Sequence, residues 1–238
     1  MNRTWGAVAG AVAIGLLVAG CGSDGGDGKK GAGEGGGKAA AGASLPTAAK
    51  LDADSGARYR QVNVPSLDGM TCDKGDGGFQ FGSDRAMSVP PVDGLTATRG
   101  DTGDDKVSCF APQRIVLSKG AMRVTAPNLT TRTSLYAKVA DPVAALDKVF
   151  ERATGLAKGY GRMPVGKPES FTTASLVLKC QQNVSDTIPM TTCLWANYGA
   201  IGVVDLFPPA GRHVPLDEAA AQTYTFARGV LAVSGTTS

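Results

Sequence analysis

Apolar and polar residues alternate in short runs through the first half of the chain. "YRQVNVP" (59–65), "GFQFG" (78–82), "KVSCF" (106–110), "RIVLS" (114–118), "MRVTA" (122–126) and "SLYAKVA" (134–140) have the period of two of half-buried strands. Glycine, proline and aspartate punctuate them. From residue 141 the period lengthens. "DPVAALDKVFERATG" sets Val143, Leu146, Val149, Phe150 and Ala153 on one helical face. Asp141 is placed to cap the exposed N–H groups, Pro142 suits the first helical position, and Gly155 can end the helix. A second helix is predicted in "PLDEAAAQTYTFARGVLAV". Pro215 starts it, Asp217 and Glu218 suit its first turn, and Leu216, Ala219, Ala220, Thr223, Phe226, Ala227 and Val230 form its inner stripe.

Between these helices lie "TASLVLKC" (173–180) and "TTCLWANYGAIGVVDLF" (191–207). If Cys180 and Cys193 bond directly across an antiparallel pair, Leu178 faces Trp195 and Leu176 faces Asn197. One apolar face then forms from both strands, and Trp195 points inward. Gly199 and Gly202 let the chain turn or bulge before "VVDLF" returns as a third strand. Tyr198 falls on the face opposite Trp195, which makes it the better candidate for a ligand contact. The order from 134 onward is then strand, helix, three strands, helix. The expected class is α+β: one disulfide-bearing domain, with an antiparallel sheet and both helices packed on one face.

The amino end has a different pattern. Arg3 is its only charge before Cys21, and an uncharged run extends from Trp5 to Gly20. About 20 apolar residues are needed to span a bilayer, so the run fits an export signal better than an anchor. It ends Val18-Ala19-Gly20-Cys21, which resembles a bacterial lipobox. That resemblance implies cleavage before Cys21 and a diacylglyceryl group on its sulfur. Residues 22–42 then contain ten glycines and no large apolar side chain. Such a stretch cannot offset its chain entropy by burial. The expected organisation is a signal peptide over 1–20, a lipidated cysteine and glycine-rich tether over 21–50, and an extracytoplasmic domain over 51–238. The implied location is the outer face of the cell membrane, held by acyl chains.

Charge and cysteines narrow this further. The chain has 24 basic and 21 acidic residues, and only Arg3 lies in the signal, so the remainder carries a net charge near +2. No clustered basic face points to nucleic acid. Apart from Cys21, four cysteines remain: Cys72, Cys109, Cys180 and Cys193. An even count in an exported chain points to two disulfides, for which three connectivities exist; the sequential pairing is favoured. No C-x-x-C spacing occurs and His213 is the only histidine, so no metal or other cofactor is expected.

"CLWANYGAIGVVDLF" followed by "DEAAAQTYTFARGVL" resembles the end of a group of uncharacterised lipoproteins and membrane proteins of high-GC Gram-positive bacteria. Their pattern is C-x-W-A-D, a small polar pair, G-x-V, and an Ala-Ala helix ending in Arg. Cys193, Trp195, Ala196, Gly202, Val204, Ala219, Ala220 and Arg228 match it, whereas Asn197 and Ala200 depart from it. The resemblance covers roughly the last fifty residues and implies kinship without an activity.

Catalytic signatures are absent: no G-x-S-x-G, S-x-x-K or H-E-x-x-H. The run from Gly161 to Lys167 imitates a phosphate loop, but Pro168 stands where Ser or Thr would hold magnesium. Arg212 and His213, just before the second helix, could meet an anion near its N-terminus. The expected function is a tethered, non-catalytic module that binds an envelope protein or a cell-wall component. The alternative is an envelope hydrolase with paired carboxylates drawn from Asp101, Asp104, Asp105 and Asp205.

Overall fold

The computed structural model describes residues 44–77, 89–98, 106–119, 121–209 and 211–231. Cys21 and the glycine-rich stretch, the strand expected at 78–82, and Asp101, Asp104 and Asp105 lie outside the described residues. Nine strands and two helices are described: β1 (Thr71–Lys74), β2 (Lys106–Phe110), β3 (Ile115–Lys119), β4 (Met122–Ala126), β5 (Leu129–Leu135), α1 (Pro142–Gly159), β6 (Arg162–Thr172), β7 (Val177–Ser185), β8 (Ile188–Ala196), β9 (Ala200–Leu206) and α2 (Leu216–Val230). Seven strands form one antiparallel sheet in the order β1-β2-β5-β9-β8-β7-β6, and β3 and β4 form a separate hairpin.

The fold is α+β and antiparallel, and both disulfides join directly paired residues. Cys72 bonds Cys109 across β1 and β2, and Cys180 bonds Cys193 across β7 and β8. The sequential pairing therefore holds. So does the register, with Leu178 opposite Trp195. Trp195 is completely buried, as its inward position predicts.

The helices do not share a face. Cys193 and Trp195 pack in one apolar cluster with Ala219, Ala220, Phe226 and Val230 of α2. Leu194 and Ala196, the alternate residues of β8, pack in another with Leu146, Val149, Phe150 and Ala153 of α1. A central strand that is buried at every position from Met190 to Ala196 needs cover on both sides. Topology supplies it. The connection from β5 to β6 runs from inside the sheet to its far edge, so α1 lies across one face, while α2 follows β9 and returns over the other.

Helix α1 is capped as expected, with Asp141 Oδ1 accepting from the backbone N–H groups of Val143 and Ala144. Its inner face differs by one residue: Val143 is exposed, and Pro142, Ala145 and Ala157 complete the buried stripe. The helix also runs past Gly155 to Gly159, because an exposed mid-helix glycine costs only about 1 kcal/mol against the packing on either side.

Two strands were not apparent in the sequence pattern, and one expected strand does not form. β1 and β6 were not predicted, and "YRQVNVP" is not a strand. β6 is an edge strand that is exposed along most of its length, so it carries no alternation. Pro164, Pro168 and a register break between Val165 and Glu169 blunt that edge against further pairing. The predicted 134–140 strand overlaps only the end of β5, which begins earlier, at Leu129. Residues 44–66 instead form an extended strap. The Ala48, Asp52 and Asn63 N–H groups donate to the Thr172, Ala174 and Val230 carbonyls. Leu45 packs against the cluster under α2, so docked chain begins within the stretch read as tether.

The α2 side of the sheet contains a close approach. A Cβ on Gly202 would stand 2.5 Å from Cε2 of Trp195, so only glycine admits the indole there. Beside it, on β5, two buried threonines differ in their bonding. Thr131 Oγ1 donates to the Val107 carbonyl, whereas Thr133 Oγ1 has no partner among the described residues. Thr131→Val is therefore expected to lower stability by about 1 kcal/mol, and Thr133→Val to be neutral or stabilising by up to about 1 kcal/mol. Urea unfolding of both variants checks this; equal losses would show that the Thr133 hydroxyl is engaged.

Candidate functional site

The strap closes over the end of β8 to form a depression. "LDADSGARY" (51–59) is rich in small and turn-forming residues, so it cannot hold itself in place by burial and is fastened by polar contacts. Arg58 supplies the main fastening. Its Nη1 and Nη2 donate to Oδ1 and Oδ2 of Asp54 at 2.9 and 2.8 Å, and its Nε donates to the Ala137 carbonyl at 2.5 Å. The Gly56 N–H also donates to Asp54 Oδ1. The Arg58 guanidinium and this backbone bond hold the Asp54 carboxyl down to about 2. Because that value is depressed, the charged clamp persists above the ordinary carboxylate range and opens only as pH falls through about 2.

Asn197 braces the other wall. Its Oδ1 accepts from the Gly199 and Ala200 N–H groups at 2.9 and 2.8 Å, which turns the chain from β8 into β9. Its Nδ2 donates to the Tyr59 hydroxyl at 3.0 Å. An aspartate could accept the same two backbone bonds but would draw the phenol proton toward itself. The asparagine leaves that proton free to face outward. The Tyr59 ring rests against Gly199, where a Cβ would lie 3.1 Å from the ring.

Between these walls is a cavity of about 210 Å³ lined by Leu51, Asp52, Tyr59, Ser175, Asn197 and Tyr198, among others. Tyr198 is half-buried there. Sequence reasoning placed Tyr198 on an outward face but missed Tyr59 and Asp52. Tyr59 is 138 residues from Asn197, and no local pattern signals a contact at that separation. The breaker-rich composition of 51–57 was the available clue that 59–65 is not a strand.

Arg212 and His213 lie elsewhere. His213 Nε2 donates to the Asn183 carbonyl at 2.8 Å. The next residue, Val214, accepts at its carbonyl from Thr191 Oγ1 and Gln182 Nε2. These bonds staple the loop before α2 to the far end of β7 and β8, at the opposite end of β8 from Tyr198. The histidine is thus a structural staple, Arg212 is exposed beside it, and neither joins the Tyr198 cavity.

Asp205 is also structural. Helix α1 ends at Tyr160, Gly161 takes a left-handed conformation (φ 84°), and the chain turns so that Arg162 enters the core. The Arg162 guanidinium meets Asp205 in a bidentate pair at 2.7 and 3.0 Å. Thr192 Oγ1 accepts from Arg162 and donates to Asp205, and Asn183 Nδ2 donates to Thr192. Arg162 is 1 % exposed and Asp205 5 %. Asp205 thus faces a guanidinium rather than a second carboxylate, without the solvent-facing pair that acid–base hydrolysis requires. Among the described residues no three His, Cys, Asp or Glu side chains gather as a metal site.

No family model matches this sequence, and no curated protein matches it. Among solved structures, the solution structure of cyanobacterial PsbP (CyanoP) from Synechocystis sp. PCC 6803 is similar at 14% identity, over 59% of this chain and 95% of that one, with a TM-score of 0.26. A likeness of that degree carries no implication for the site.

Proposed function

We propose that this protein is a lipid-anchored module on the outer face of a cell membrane, which binds an envelope protein or cell-wall component without catalysis. The binding reading rests on one observation: the aromatic-walled cavity where the strap meets Asn197, Tyr198 and Tyr59. Its walls are fastened by bonds that leave the Tyr198 phenol and the Asp52 carboxylate unpartnered among the described residues. Two cross-strand disulfides support an oxidising compartment. The two disulfides use Cys72, Cys109, Cys180 and Cys193, and the lipobox resemblance assigns Cys21 to lipidation. Two acyl chains anchor stably at about 0.8 kcal/mol per buried methylene, where one is marginal. Kinship with the high-GC Gram-positive lipoproteins belongs to the same proposal.

Two measurements on native membranes test it. Cys21→Ser is expected to move the protein from the membrane fraction to the soluble extracytoplasmic fraction; equally firm retention overturns the anchor. A pull-down with the wild-type chain is expected to recover an envelope component that a Tyr59→Ala/Tyr198→Ala variant loses. Undiminished recovery overturns the assignment of binding to this cavity.

A further inference from the structure

The free groups of the strap cavity narrow the chemistry of what it takes. Arg58 is the only cationic side chain fastening its wall, and that guanidinium is already engaged by Asp54 and the Ala137 and Ala57 carbonyls. Asp54 is saturated in turn by Arg58 and Gly56. Asp52 uses its N–H on Ala174 but has no side-chain partner among the described residues. Among the described residues the lining presents one free carboxylate, two phenol rings and the Ser55 and Ser175 hydroxyls, and no Lys, Arg or His side chain. Lys138 acts on Asp54 from outside the lining, so the charge within the cavity is that of Asp52, which disfavours anionic ligands such as phosphates and carboxylates. At about 210 Å³ the cavity falls below the roughly 300–1,000 Å³ of pockets for drug-sized ligands, so it suits a compact head group rather than a chain of rings.

From this juxtaposition we infer that the cavity binds a primary ammonium group. Asp52 is the charge partner, and Tyr59 and Tyr198 line the cavity beside it. A carboxylate supplies a charge-assisted hydrogen bond to an N–H, and aromatic faces attract the positive charge through their quadrupole. The inference rests on the binding-module reading and specifies its ligand class. The amine can be a small free molecule or the terminus of a larger cell-wall unit.

Resonances of Tyr59 and Tyr198 in the full chain carrying Cys21→Ser, titrated by NMR, test it. The probes are butylamine, tetramethylammonium, methyl glucoside and acetate. Butylamine is expected to shift both tyrosines and to bind at least about tenfold more weakly to Asp52→Asn, which retains the strap contacts. Tetramethylammonium, lacking N–H, is expected to bind more weakly than butylamine, and acetate not at all. Wall fragments are expected to compete with butylamine only before N-acetylation if the amine belongs to the wall; competition by neither form assigns a free amine. Methyl glucoside binding as tightly as butylamine, with Asp52→Asn silent, overturns the ammonium class and leaves the binding module standing. Silence of every probe also overturns the ammonium class, and if the Tyr59→Ala/Tyr198→Ala pull-down is then unchanged as well, the binding module falls with it.

Discussion

Replacing Asp205 with alanine is expected to lower the stability of the folded domain by about 3–5 kcal/mol, among the largest effects of any single substitution in this chain. The Arg162 guanidinium is 1 % exposed and reaches the core through a turn at Gly161 that leaves its head against Asp205 and Thr192. Without Asp205 the buried guanidinium loses the bidentate carboxylate that balances its charge. Charge burial of that kind costs far more than the intact pair contributes, because pairing only offsets the desolvation of both ions. The double variant Arg162→Met/Asp205→Leu is therefore expected to recover most of the loss, and the coupling between the two sites to exceed about 2 kcal/mol in a double-mutant cycle. Chemical unfolding of the four proteins gives the answer. A loss below about 1 kcal/mol for Asp205→Ala would mean that water reaches the guanidinium and that the network is not sealed. The same variant bears on catalysis: an activity that survived Asp205→Ala in folded protein would owe nothing to this carboxylate.

Removing Cys72–Cys109 is expected to destabilise by about 4 kcal/mol, and removing Cys180–Cys193 by about 3 kcal/mol, when each pair is replaced by alanine. The ranking follows from loop length. The first bridge closes a separation of 37 residues and the second one of 13, and the unfolded chain gains more freedom when the longer loop is released. Position acts in the same direction. β1 is a four-residue edge strand with β2 as its only neighbour in the sheet, so its place depends on the bridge and on few hydrogen bonds. β7 and β8 pair over nine residues and are packed on both faces, so they hold together after the sulfurs are gone. Hydrogen exchange is expected to show β1 amides losing protection in the Cys72→Ala/Cys109→Ala variant, while β7 and β8 keep theirs in the Cys180→Ala/Cys193→Ala variant. The reverse pattern would show that packing lost around the wholly buried Cys180 and Cys193 outweighs loop entropy.

The sequence alone carried several features that depend on neighbours within a turn or a hairpin. The Asp141 cap and Pro142 start of α1, the β7–β8 register with its Cys180–Cys193 pair, and the inward Trp195 all arise from spacings of a few to about a dozen residues. At that range periodicity and chain connectivity leave few arrangements. Among the residues that line the cavity, Tyr198 was the one that alternation singled out as a candidate contact.

Tertiary structure decided the rest. Only packing puts α1 and α2 on opposite faces of the sheet, since the apolar run of β8 demands two covers without saying which helix supplies which. Arg162 and Asp205 are 43 residues apart, and Tyr59 and Asn197 138 apart. Charge and hydrogen-bonding capacity are visible at each position alone, but partnership depends on the path of the chain between them. The exposed edge strand β6 and the strap were hidden for a related reason. β6 buries no alternating face, and the alternation of "YRQVNVP" in the strap does not become a strand, because the positions of both are set by hydrogen bonds to strands and loops formed elsewhere.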